Sequence, residues 1–120
     1  MRNSIVSLQQ NIINLKTKIN MGFFNFFGGG TDTNAIKEYL DKGAVILDVR
    51  TPAEWAEGKP EGAKLITLNE VPSKINQIKA WNKPVVVVCR SGGRAGTALN
   101  YLKEAGIDAI NGGAWQNAVM

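Results

Sequence analysis

From Thr33 onward, apolar residues alternate between helical spacing and short unbroken runs. Ile36, Tyr39 and Leu40 share one face of a helix that Thr33 would cap and that ends near Gly43. Ala44–Val49 (AVILDV) is a compact apolar run suited to a buried strand. TPAEWAEG opens with Thr-Pro, which predicts a helix of one or two turns. A second short strand is predicted at Leu65–Leu68, and Val71–Trp81 carries Ile75, Ile78 and Trp81 at helical spacing. Pro84 then precedes the strand Val85–Val88, and Arg94–Ala105 reads as a helix closed by Gly106. Asp108–Ile110 is a last short strand, and GGAWQNAVM begins a final helix. Unbroken apolar strands separated by helices indicate a parallel sheet covered on both faces. In such a sheet, binding and chemistry gather at the carboxyl ends of the strands.

The first 30 residues have a different character. Ile5, Leu8, Ile12, Leu15 and Ile19 fall at spacings of three and four, which suits a weak amphipathic helix. The longest apolar run before Met21 is two residues, too short for the core of an export signal. The expectation is that 1–20 is a non-native or mispredicted extension, that synthesis naturally starts at Met21, and that the protein works in the cytoplasm. GFFNFFGGG follows, its four phenylalanines far short of the roughly 20 apolar residues that span a bilayer. That segment is expected to pack or trail rather than anchor to a membrane, and its glycines read as a flexible joint. Residues 1–30 are thus an extension and linker, and 31–120 the compact domain.

Charge narrows the functions. The net charge is +4, but residues 1–30 hold Arg2, Lys16 and Lys18 and no acid. The remaining 90 residues carry 11 basic and 10 acidic groups, so the domain is nearly neutral and nucleic-acid binding is not expected. The chain contains no histidine, which excludes Cys-His and Ser-His catalytic pairs and His-containing metal sites. Its single cysteine, Cys89, excludes an internal disulfide or a thiolate metal cluster.

Cys89 stands where four valines end and a loop with Gly92, Gly93, Arg90 and Arg94 begins. A helix starting near Arg94 points unpaired N–H groups and the positive end of its dipole back at that loop. The glycines let successive N–H groups converge, and every one of these influences favours a thiolate. A core cysteine needs none of them.

CRSGGRA resembles the active-site loop of the rhodanese family of single-domain sulfurtransferases. ILDVRTPAEWAEG, PEGAKLITL, VVVVC and INGGAW resemble further segments of that family, in order and spacing, from about Thr31 to the C-terminus. The resemblance implies an α/β fold with a small parallel sheet of about five strands flanked by helices on both faces. It implies that Cys89 is the nucleophile of a thiosulfate sulfurtransferase. The thiolate attacks the sulfane sulfur of a donor such as thiosulfate or a persulfide, carries it as a persulfide, and passes it to cyanide or a thiol acceptor. N–H groups of the loop from Arg90 through Ser91, Gly92, Gly93 and Arg94 to Ala95 would hold that sulfur. Arg90 and Arg94 would attract an anionic donor, and Asp48 and Arg50 would support the loop. Neither a metal nor an organic cofactor is required.

One departure from the family is visible: its G-H-I-x-G-A segment reads Gly58, Lys59, Pro60, Glu61, Gly62, Ala63 here. Three rival readings share the fold. A related phosphatase loop places five residues between Cys and Arg, against the four between Cys89 and Arg94, and the narrower cradle suits one sulfur atom. Arsenate reduction is a weaker variant of the same idea. A non-catalytic binding module would typically lack the cysteine, whereas a persulfide carrier that hands sulfur to a relay protein would use the same Cys89 chemistry.

Overall fold

The computed structural model describes residues 32–119. The expected extension, its amphipathic spacing, the phenylalanine segment and the Thr31 boundary lie outside the described residues. Helices α1 (Thr33–Asp41), α2 (Pro52–Glu57), α3 (Ile75–Ala80) and α4 (Gly93–Glu104) alternate with strands β1 (Val45–Asp48), β2 (Lys64–Leu65), β3 (Val85–Cys89) and β4 (Ala109–Ala114). The strands form one parallel sheet in the order β2-β1-β3-β4. Among the described residues the sheet therefore has four strands, not about five. The apolar runs of this segment are already used, and the stretch after Ile66 turns into a short 3-10 helix at Leu68–Glu70 instead of adding a strand.

Consecutive valines make sense in this frame. Side chains alternate across a strand, so Val85, Val87 and Cys89 join the core beneath α4, with Leu47, Ala98 and Leu102. Val86 and Val88 join the opposite core, with Ile36 of α1 and Ala118. All five residues of β3 are buried, as expected for a central strand covered on both faces.

Several boundaries differ from the sequence-based expectations for local physical reasons. Asp32, rather than Thr33, caps α1, because its carboxylate reaches the N–H groups of Asn34 (3.0 Å) and Ala35 (3.3 Å). The expected strand Leu65–Leu68 is assigned only at Lys64–Leu65, although Ile66 and Leu68 still donate to the Asp48 and Val49 carbonyls. Val71–Trp81 divides into a 3-10 turn at Pro72–Lys74 and α3. The final strand runs four residues beyond Ile110, through both glycines of NGG, because a bulge opposite Val87 and Val88 absorbs Gly112. A Cβ on Gly112 would lie 2.7 Å from Val86 Cγ1 and 2.9 Å from Val88 Cγ1, so only glycine fits against β3 there. The last segment is a 3-10 helix, Trp115–Ala118.

No helix among the described residues is long and apolar enough to cross a membrane.

Candidate active site

β2 lies on one side of β1 and β3 on the other, so the chain reverses its direction of progress between β1 and β3. Such a reversal opens a crevice at the carboxyl edge of a parallel sheet. Cys89 ends β3 at that edge, paired in register with Ala114 of β4. It is 1% exposed, at the floor of its loop.

The loop wraps the sulfur. The Gly92 N–H donates to Cys89 Sγ at 2.9 Å and the Ala95 N–H at 3.4 Å. Of the loop amides expected to converge, these two reach it. Gly92 has φ +110°, a conformation open to glycine and strained for other residues, and it is the N-cap of α4. Two backbone donors thus converge on one sulfur at the start of a helix.

The carbonyl of that same Gly92 accepts from the Asn111 side-chain amide (3.1 Å) and from the Gly96 N–H (2.9 Å). The Asn111 side-chain oxygen accepts from the Gly113 N–H at 2.8 Å. Asn111 thus fastens the cysteine loop to the bulge of β4.

Asp48 and Arg50 form a buried ion pair at 2.8 Å, with side chains 0% and 4% exposed. Arg50 also donates to the carbonyls of Glu54 (3.3 Å) and Gly58 (2.6 Å), and its guanidinium lies 4.9 Å from the centre of the Trp115 ring. The pair therefore anchors α2 and the turn after it, which wall the crevice opposite the cysteine loop.

The two loop arginines part company. Arg94 forms a bidentate pair with Glu54, at 2.8 and 3.0 Å, whereas Arg90 is exposed. Glu54 also completes a capping box with Thr51 at the start of α2. The Arg94 guanidinium and the Thr51 N–H hold the Glu54 carboxyl at about 2, below its ordinary 4.5. The same bond raises the pKa of Arg94. Ser91 and Gly93 are exposed on the loop surface.

A pocket of about 230 Å³ is lined by Arg50, Glu54, Glu57, Arg90 and Trp115, among others. Arg90 and Trp115 directly follow Cys89 and Ala114, so the pocket is built from the residues just beyond adjacent strand ends.

A family model, the rhodanese-like domain, matches residues 32–116. The chain belongs to the rhodanese-like family. It is 36% identical over 90 residues to a Bacillus subtilis protein named "Putative sulfurtransferase YtwF", covering 70% of this chain and 86% of that one. It is also 36% identical over 66 residues to a protein of Allochromatium vinosum named "Sulfurtransferase", covering 55% and 61% of the two chains. A solved rhodanese-like domain protein from Staphylococcus aureus superposes with a TM-score of 0.62 at 34% identity, covering 75% and 89%. The parallel α/β sheet with helices on both faces is the rhodanese-like fold.

Within this rhodanese-like domain, the departure at Lys59 and Pro60 has a structural outcome. Pro60 is fully buried, and Lys59 reaches over the Trp55 ring, its Nζ 5.1 Å from the centre. Gly58 before them packs on Trp115, where a Cβ would come within 2.9 Å of the ring. The residues that sequence reasoning left without a role are Glu54, Glu57, Asn111 and Trp115. The Thr51-Pro-Ala-Glu54 spacing is a readable capping-box signal for Glu54. Nothing local marks Asn111, whose partner lies 19 residues away.

Proposed function

We propose that this rhodanese-family domain is a thiosulfate sulfurtransferase-type enzyme that moves a sulfane sulfur through a persulfide on Cys89. The observation that carries the reading is the pair of backbone N–H groups on Cys89 Sγ, at 2.9 and 3.4 Å, in a glycine-bent loop at a strand's carboxyl end. The thiolate attacks the outer sulfur of a donor such as thiosulfate. A new S–S bond forms at Cys89, the donor's S–S bond breaks, and its electron pair leaves on sulfite. Attack by cyanide or a thiol on the terminal sulfur then restores the Cys89 thiolate, in a two-step covalent cycle. The loop amides match a group that stays negatively charged as thiolate and as persulfide, so they need not reorganise between the steps. Transfer to a protein thiol would use the same cycle. All the chemistry of this scheme resides on sulfur, so it calls for no cofactor.

Intact-mass measurement after incubation with thiosulfate tests the covalent step. Wild type is expected to gain about 32 Da, one sulfur atom, and to lose it to cyanide with release of thiocyanate, while Cys89→Ser gains nothing. A reduced, folded protein that gains no mass from thiosulfate or any other sulfane donor would refute the reading.

A further inference from the structure

The sequence places two arginines around Cys89, yet the pocket lined by Arg90, the residue that follows it, is not cationic. Its charged lining residues are two arginines, Arg50 and Arg90, and two glutamates, Glu54 and Glu57. Arg50 is paired with Asp48 and Glu54 with Arg94. Arg90 and Glu57 have no ion-pair partner among the described residues, and Glu57 is exposed at the end of α2. The pocket thus offers one uncommitted cation and one uncommitted anion. At about 230 Å³ it lies just below the roughly 300–1,000 Å³ of sites for drug-sized ligands, which suits a molecule of amino-acid size.

A small dianion such as thiosulfate gains from Arg90 but faces Glu57 and Glu54 across the same space. A zwitterion with a short sulfur-bearing arm gains from both uncommitted charges, and charge complementarity of this kind selects between ligands. We propose that the preferred donor is the persulfide of a zwitterionic aminothiol, its carboxylate on Arg90 and its ammonium on Glu57. This rests on the sulfurtransferase reading of Cys89. The terminal sulfur of the donor bonds to Cys89 Sγ as the donor's S–S bond breaks. The electron pair leaves on the donor's inner sulfur, and that thiolate takes the proton the persulfide carried. No outside oxidant or reductant enters.

The test compares initial rates of Cys89 loading in the full chain with four donors. These are cysteine persulfide, N-acetylcysteine persulfide (no ammonium), cysteamine persulfide (no carboxylate) and thiosulfate. Wild type is expected to show a kcat/KM for cysteine persulfide about fivefold above either truncated persulfide, the effect of one partly exposed charge contact. Glu57→Gln should erase the difference between cysteine and N-acetylcysteine persulfides. It should also improve thiosulfate through KM while weakening cysteine persulfide, opposite movements that a loss of structure would not produce. Equal use of cysteine and N-acetylcysteine persulfides by wild type overturns the proposal, as does a common direction for both donors in the variant. In either case, loading itself leaves the persulfide chemistry of Cys89 standing. Loading by none of the four would remove both.

Discussion

Glu54 performs three tasks with one carboxylate. It closes the capping box of α2, fixes Arg94, and contributes negative charge to the pocket wall. Its pKa is about 2 instead of 4.5, first because of the Arg94 hydrogen bonds and then because of the Thr51 N–H. A carboxyl whose pKa is lower in the folded than in the unfolded chain stabilises fully above the unfolded value, and that contribution fades as pH falls through the folded one. Glu54→Gln keeps a residue able to complete the capping box but removes the charge. The unfolding free energies of wild type and variant should therefore differ constantly near neutrality and converge between about pH 4.5 and pH 2. Urea titrations across that range measure it, and a difference that stays constant down to pH 2 would separate Glu54 from the acid response.

At the scale of elements, β4 is where the site depends on backbone rather than on side-chain chemistry. Its bulge lets Gly112 lie flat on Val86 and Val88 and turns Gly113 so that its N–H meets Asn111. Asn111 then holds the Gly92 carbonyl, whose residue donates its N–H to the cysteine. Gly112→Ala should cost about 1–3 kcal/mol in chemical denaturation, since the added methyl meets side chains of a central strand fixed on both faces. A cost near zero would mean that β4 slides to accommodate it.

For the whole molecule, the Asp48–Arg50 pair sits at the junction of sheet, α2 and Trp115. A buried pair is weak as a net source of stability, but removing one partner strands the other charge. Arg50→Met is expected to cost about 3–5 kcal/mol, a large part of the roughly 5–15 kcal/mol that a domain possesses. The double variant Asp48→Asn, Arg50→Met should lose less than the sum of the single variants, because no charge is left unpaired. Equilibrium unfolding of the three variants checks this, and strict additivity would show that the two residues act separately.

Much of this architecture is legible in the chain. The runs AVILDV and VVVV, the alternation with helical spacing, and the Thr-Pro and glycine boundaries specify a parallel sheet, because local periodicity and backbone preference are properties of neighbouring residues. Cys89 and its glycine-bent loop are likewise contiguous, so the proposed nucleophile could be named without coordinates. What the chain order leaves open is every relation between distant residues. Arg94 and Arg90 look alike in sequence, yet Glu54, 40 positions before Arg94, neutralises one and leaves the other uncommitted. Asn111 falls just past the expected strand Asp108–Ile110 but becomes a strand residue fastening the cysteine loop, because a bulge against β3 carries the strand through two glycines. Packing across the sheet brings these groups together. The charge balance of the pocket depends on such long-range pairings, while the proposal of Cys89 as nucleophile depends on a dozen consecutive residues from Val85 to Gly96.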